Sequence, residues 1–185
     1  MLAPDEYRDL HPLGKAPVIT DGDVTLAESG AIIEYIIQKY GNGRADPPET
    51  GKLDNFYFVH YAEGSLMPLL VNKLMFTLIP QKAPLLLRPL LKPIFGGLAA
   101  HLIDPGIKNH CKFIEAHLER GGDWLAGGDH PTAADFMMSF PLEALQSRGG
   151  SGSIGPLTEQ YVKRIDERPA YKRALEKGGK YSYAS

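Results

Sequence analysis

The sequence predicts an α+β protein in which a short β-hairpin and one helix precede a larger all-α helical bundle. Two observations predict this order. Two β-rich runs flank a turn signal at Asp21-Gly22, and apolar residues at helical spacing follow directly. Beyond Pro48 the apolar pattern is helical throughout. The sequence therefore predicts an N-terminal region of residues 1–43 and a helical domain of residues 44–185.

The hairpin is predicted over residues 15–27. Its strands are 16–20 and 24–27, and Asp21-Gly22 between them is a strong two-residue turn signal. A helix follows, with Ser29 as its N-cap and Gly41 as its C-cap. Its apolar residues at helical spacing are Ile32, Ile33, Ile36, Ile37 and Tyr40. Because two strands and one helix form only a marginal unit, this region is predicted to be incomplete and to lack a βαβ unit.

The helical domain begins after a turn-rich linker at 41–48. One long helix is predicted over 49–79, bent at Gly64 and Pro68, and a second over 84–121, interrupted at its prolines and glycines. A third helix begins at Thr132, where Asp135 takes the acidic position of a capping box and has a structural role.

The last part of the chain is predicted to form two further helices. One carries a stripe of apolar residues, and the other is short and begins at Pro169. The stripe consists of Leu157, Tyr161 and Ile165. The stretch 150–155 matches the letters of a dinucleotide-binding fingerprint, but it follows a helix rather than a strand, and we interpret it as a loop.

Composition excludes several classes of function. Of the 185 residues, 43% are apolar and 23% charged, as in ordinary globular proteins, and a net charge of −2 argues against nucleic-acid binding. The single cysteine, Cys111, excludes an intrachain disulfide, and we predict a buried, inert thiol. The six histidines show no metal-ligand spacing, so no metal site is predicted.

The most apolar stretch lies at 66–103. Lysines, an arginine and several prolines interrupt it, so it never reaches the roughly 18 uninterrupted apolar residues of a membrane span. We therefore predict buried helices here, with an interfacial membrane contact as the less favoured alternative. The first ten residues contain three acidic side chains and do not resemble a secretory signal.

Several motifs together resemble those of glutathione transferases. The runs HPLGKAPVI at 11–19, DGD at 21–23 and LAESGAIIEY at 26–35 resemble the second half of that family's thioredoxin-like domain. The later runs WLAG at 124–127, TAAD at 132–135 and RPAY at 168–171 are similar to its helical domain. The resemblance spans almost the whole chain, and MMSFPLEA at 137–144 is similar to a cytosolic subgroup of bacteria and fungi.

The resemblance implies five glutathione-binding residues. Lys15 is expected to meet the glycyl carboxylate, and the backbone of Ala16 to pair with the cysteinyl residue like an added strand. Pro17 is expected to follow a cis peptide bond. Glu28 and Ser29 match the residues that hold the γ-glutamyl group, where a helix start offers free N–H groups to a carboxylate.

The resemblance also implies a homodimer in the cytoplasm that uses glutathione as co-substrate. The reaction would conjugate a small apolar electrophile or reduce a hydroperoxide, with the second substrate against Tyr57, Tyr61 and other residues of the helical domain. The further residues of that predicted surface are Leu66, Met67 and Phe76. The dimer would use the exposed face of the helix at 31–40.

The catalytic serine, tyrosine or cysteine of the family lies in a segment that has no counterpart here. The opening residues 1–4 resemble an internal stretch of the subgroup, so we expect an N-terminally truncated, inactive chain with no catalytic residue. The alternative is a non-catalytic ligand-binding or protein-interaction module of the same fold.

Overall fold

The computed structural model describes residues 5–149, 154–179 and 181. The residues that open the chain, 1–4, and most of the fingerprint-like stretch at 150–155 lie outside this set. The N-terminal region contains α1 (Asp5–Leu10), which the sequence analysis did not predict, and then β1 (Val18–Asp21), β2 (Val24–Ala27) and α2 (Ser29–Tyr40). The predicted order of hairpin, helix and helical domain is confirmed.

The hairpin is antiparallel, and its turn lies one residue later than predicted. Val18 pairs with Ala27, and Asp21 pairs with Val24, so Asp21 is the last residue of β1 rather than part of the turn. The turn residues are Gly22 and Asp23. Gly22 has φ 59°, a conformation that glycine adopts without steric cost, which explains why the turn begins there.

Helix α2 has Glu28 rather than the predicted Ser29 as its N-cap. Glu28 has φ 74° and ψ 119°, outside the helical region, while its carbonyl already accepts the first helical bond from the N–H of Ile32 at 2.9 Å. The predicted C-cap is confirmed: the N–H of Gly41 donates to the carbonyl of Ile37 at 2.8 Å.

The first half of the helical domain is formed by two long, interrupted helical stretches. The first consists of a 3-10 turn at Glu49–Gly51, α3 (Lys52–Tyr61), a π turn at Ala62–Leu66 and α4 (Met67–Lys82). Gly64 lies within the π turn, so the α-helix is interrupted near the first of the two positions where the sequence predicts a bend. The second consists of a 3-10 turn at Leu85–Leu87, α5 (Arg88–Leu98), a π turn at Ala99–Ile103 and α6 (Asp104–Glu119).

The second half contains α7 (Ala133–Gly149), α8 (Pro156–Glu167) and α9 (Pro169–Gly178), close to the predicted bounds. The structural role of Asp135 is confirmed, because its Oδ2 accepts the N–H of Thr132 at 2.7 Å and completes the capping box. The core groups α7 with parts of α3, α6 and α8, and Tyr161 and Ile165 from the predicted stripe are buried in it.

The prediction of buried helices for residues 66–103 is wrong for much of that stretch. Leu86 is 93% exposed, and Leu85 and Leu90 are also largely exposed, because no other described element packs over them. The helical stretches Glu49–Lys82 and Leu85–Glu119 are each long and apolar enough to cross a membrane by length and composition alone. Only 17% and 6% of their most apolar windows are buried.

Candidate functional site

A cleft of about 690 Å³ lies between the N-terminal region and the helical domain. One wall contains all five predicted residues, which are Lys15, Ala16, Pro17, Glu28 and Ser29. The opposite wall is formed by Val59, His60, Glu63, Gly64 and Met137. The structure therefore brings the predicted residues together at a single concave surface, the form that small-molecule sites take in proteins.

The loop before β1 forms one edge of this cleft. The peptide bond between Ala16 and Pro17 is cis, as predicted. Gly14 has φ 54°, and a Cβ there would lie 2.8 Å from Cγ of Arg8, so only glycine fits against α1. The N–H of Gly14 also donates to the carbonyl of His11 at 2.8 Å. These constraints fix the loop and leave Lys15 and Ala16 exposed at the cleft.

The start of α2 forms the second edge. Its first helical hydrogen bond is donated by Ile32, so the N–H groups of Ser29, Gly30 and Ala31 have no acceptor within the helix. These three residues all line the cleft. Free N–H groups and the positive end of the helix dipole together favour a carboxylate at this point.

Glu28 joins the two edges in a strained conformation. A positive φ is uncommon in residues with a Cβ, and φ 74° at Glu28 costs on the order of 1–3 kcal/mol. Such strain persists where the surrounding structure requires it, and it is concentrated at ligand sites. The exposed Glu28 side chain lines the cleft, which makes it a candidate ligand contact.

The charges on the cleft walls are of both signs. Lys15 supplies an ammonium group, while Glu28, Glu34 and Glu63 supply carboxylates. A ligand that carries both an amine and carboxylates matches this arrangement, because each of its charges finds a partner of opposite sign. Glutathione is a ligand of this kind.

Part of the predicted surface for the second substrate is not accessible, although Tyr57 is exposed. Tyr61 and Leu66 are buried in the core, and Phe76 packs edge-on against Phe95 with the ring centroids 5.5 Å apart. On the side of the helical domain the cleft is lined by Val59, His60, Glu63 and Gly64. The sequence could not reveal this, because several faces of the helix are apolar.

Among the described residues that line the cleft, one carries a hydroxyl group, Ser29. None of them carries a thiol or a phenol. Cys111 lies elsewhere and is half-buried, and burial raises the pKa of its thiol, in agreement with the predicted inert role. No group of three or more potential metal ligands occurs within residues 5–149, 154–179 and 181.

Comparison with known proteins shows which proteins this chain resembles. Residues 2–47 match the family described as "Glutathione S-transferase, N-terminal domain". The chain is 29% identical over 177 residues to glutathione S-transferase 3 of Schizosaccharomyces pombe, covering 95% of this chain and 72% of that protein. It is 26% identical over 185 residues to glutathione S-transferase 1 of Saccharomyces cerevisiae, covering 95% and 79% of the two chains.

Solved structures show the same fold. A glutathione S-transferase from Actinobacillus pleuropneumoniae superposes with a TM-score of 0.66 at 27% identity, over 98% of this chain and 77% of that chain. A glutathione transferase from Phanerochaete chrysosporium, in complex with oxidized glutathione, gives a TM-score of 0.71 at 22% identity, over 94% and 77%. The chain therefore has the fold of the glutathione transferases and is similar to them over nearly its whole length.

Proposed function

We propose that this chain is a glutathione transferase-type protein of the bacterial and fungal subgroup, and that it binds glutathione in the cleft. The observation that carries the proposal is the convergence of an exposed backbone edge at Ala16-Pro17 with the open start of α2 at Ser29. These two edges offer the distinct partners that an extended peptide with a charged group at each end requires.

In the proposed pose, glutathione extends from the start of α2 to the loop before β1. The γ-glutamyl carboxylate lies at the N–H groups of Ser29 and Gly30 and at the Ser29 hydroxyl, with its amine at Glu28. The cysteinyl backbone pairs with that of Ala16, beside Pro17. The glycyl carboxylate meets the ammonium group of Lys15, which is exposed and able to reach outward.

The binding test is calorimetry with glutathione and with γ-glutamylcysteine, which lacks the glycyl carboxylate. Lys15→Ala is expected to weaken glutathione binding about tenfold, the loss typical of a hydrogen bond to a charged group, and to leave γ-glutamylcysteine binding unchanged. Ser29→Ala is expected to weaken both ligands. Lys108→Ala, at an exposed site on α6, is the matched control. Absence of saturable binding up to millimolar concentration would contradict the proposal.

We further propose that the chain by itself conjugates glutathione slowly. Activation of the thiol needs a donor that stabilises the thiolate, and the described lining offers only the Ser29 hydroxyl, which the pose assigns to a carboxylate. Turnover should therefore be weak with chlorodinitrobenzene and with cumene hydroperoxide. Rapid turnover with either would refute the proposed inactivity and leave the binding proposal intact.

The same lining supports a second candidate, a non-catalytic ligand-binding or protein-interaction module. It predicts glutathione binding or a stable protein complex without conjugation of any electrophile. We also propose a homodimer in the cytoplasm, where reducing conditions keep thiols free. The exposed side chains Ile36 and Tyr40 of α2 favour such an interface, and sedimentation equilibrium would measure it.

A further inference from the structure

A row of exposed apolar side chains lies on the hairpin formed by α4 and α5, residues 67–98, which we call the α4–α5 hairpin. At its tip, the consecutive residues Leu85, Leu86 and Leu87 are 75%, 93% and 48% exposed. A soluble domain gains nothing from three adjacent exposed leucines, because each leaves apolar area in water. Their position at a projecting turn indicates a contact with something outside the described chain.

Both helices of the hairpin also carry an exposed apolar stripe at intervals of four residues. The stripe on α4 consists of Val71, Met75 and Ile79. The stripe on α5 consists of Leu90, Ile94 and Leu98. Residues four apart lie on one face of a helix, so each stripe forms a continuous apolar strip.

The two stripes lie on the same side of the hairpin. Phe76 and Phe95 are in contact between the two helices, so these two residues mark the surfaces where α4 and α5 face each other. Met75 and Ile94 each precede the facing phenylalanine by one residue, a rotation of about 100° in the same sense. Because the helices are antiparallel, equal rotations turn both stripes toward the same side. The stripes and the leucine tip thus form one apolar face.

The charges around this face are of one sign. Between Glu63 and Asp104 the chain contains no aspartate or glutamate. The cations in this interval are Lys73, Lys82, Arg88 and Lys92. Lys73 forms an ion pair with Asp104 at 2.9 Å, whereas Lys82 and Lys92 are exposed on either side of the leucine tip.

We infer that the apolar face of the α4–α5 hairpin docks on the surface of an anionic lipid bilayer. Leucines suit the boundary between headgroups and acyl chains, and lysines beside them suit anionic headgroups. We expect the hairpin to lie on the bilayer rather than to cross it, because crossing would carry Lys82, Arg88 and Lys92 through the centre of the bilayer.

A second copy of the chain fits this face less well. If the α4–α5 hairpin of a second copy packed on this face, the cations of one hairpin would lie near those of the other, with no carboxylate between Glu63 and Asp104 to compensate them. An anionic bilayer satisfies the same cations. This inference favours the interfacial membrane contact over the buried helices that the sequence predicts, and it is independent of glutathione binding.

The test is flotation of the full chain with vesicles of phosphatidylcholine alone and with one part in three of phosphatidylserine. Binding is expected to the anionic vesicles only. Replacing Leu85, Leu86 and Leu87 by serine should weaken it roughly tenfold or more, since most of the inserted apolar area is lost. Leu53→Ser, at another largely exposed leucine on α3, should leave binding unchanged.

Charge variants separate insertion from attraction. Lys82→Gln and Lys92→Gln should each weaken anionic binding about fivefold, and both losses should vanish at high salt. Lys112→Gln, exposed on α6, is the matched control. In a Leu86→Trp variant the new indole should shift to shorter emission wavelength on anionic vesicles, which reports insertion directly.

Three outcomes would overturn the inference. The first is no flotation with either vesicle, and the second is equal flotation with both. The third is a fall in sedimentation mass for the triple leucine variant without any vesicle binding by the parent chain, which would assign the face to a second copy. Circular dichroism of each variant ensures that the comparison is made between folded chains.

Discussion

Tyr161 donates its hydroxyl to Oδ1 of Asp135 across 2.7 Å, at a point in the helical domain where both side chains are sealed from water. The same carboxylate accepts the N–H of Leu125 at 2.9 Å and the N–H and hydroxyl of Thr132. One side chain therefore joins α7, α8 and the loop before α7. Because these donors are buried, each needs the Asp135 carboxylate as its hydrogen-bond acceptor.

We expect Asp135→Ala to lower the free energy of unfolding by about 3–5 kcal/mol, because it leaves several buried donors without an acceptor. Tyr161→Phe removes only one donor and should lower it by about 1–3 kcal/mol. Urea denaturation measures both, and Tyr57→Phe on the exposed side of α3 is the control. Equal losses for the two variants would contradict the central role of Asp135.

Glu28→Gly is expected to stabilise the protein by about 1 kcal/mol. Glycine accepts φ 74° without the strain that glutamate carries, and this gain exceeds the greater entropy of glycine in the unfolded chain. Glu34→Gly, within α2, should have the opposite effect and cost about 1 kcal/mol. Thermal unfolding of the two variants side by side is decisive: a loss of stability at both positions would show that Glu28 carries no strain.

The turn end of the hairpin formed by β1 and β2 is attached to α2 through Asp21. Its Oδ2 accepts hydrogen bonds from Lys39 at 2.7 Å, from Tyr40 and from Tyr35 at 2.8 Å, and these lower the pKa of the Asp21 carboxyl to about 2. Because the folded pKa lies below the unfolded value of 3.8, the stabilisation is complete above about pH 4 and is lost as the pH falls toward 2.

Asp21→Asn should therefore lower the melting temperature at pH 7, and the difference from the parent should close near pH 2. Asp23→Asn, two residues along in the turn, provides the control, since Asp23 is exposed. A difference that stays constant from pH 7 to pH 2 would show that the Asp21 charge contributes nothing.

Asp166 on α8 is the opposite case. Burial, and then the charge of Glu143, raise the pKa of the Asp166 carboxyl to about 6, and its Oδ1 accepts no hydrogen bond from the described residues. The unfolded value is 3.8, so the cost of the charge appears as the pH rises from about 4 to 6 and is complete above 6.

We expect Asp166→Asn to stabilise the protein above pH 6 by about 1 kcal/mol, a figure reduced for the partial exposure of the side chain. The gain should shrink as the pH falls through 4 and disappear well below the unfolded pKa of 3.8, where Asp166 is neutral in both states. Denaturation at pH 4 and pH 8 measures it, with Glu159→Gln on the exposed face of α8 as the control. A gain of equal size at both pH values would contradict the assigned cause.

Local patterns predicted the elements whose determinants are local. The two strands, the helix starting near Ser29, the capping by Asp135 and the helix start at Pro169 all depend on residues a few positions apart. The hairpin turn was misplaced by one residue because Asp21 is held by residues of α2, 14 to 19 positions further along the chain. Turn propensity contains no information about such a partner.

The cleft was predicted on one side only. The N-terminal wall follows from motifs in consecutive residues, and Lys15, Pro17 and Ser29, which those motifs single out, line the cleft together. The opposite wall depends on which face of α3 turns toward that region, and packing sets this rather than sequence spacing. The exposed α4–α5 hairpin was missed for a related reason: a high apolar content predicts burial only where a neighbouring element exists to cover it.

Helix α7 carries Asp135 into the centre of the core and, two residues later, Met137 to the floor of the cleft beneath Gly30. The same helix that organises the interior thus also supplies a cleft residue. Substitutions that change ligand preference are therefore expected at the rim of the cleft, in the loop around Lys15 and at His60 on α3. The side chains there are exposed, so they can be replaced without changing the core.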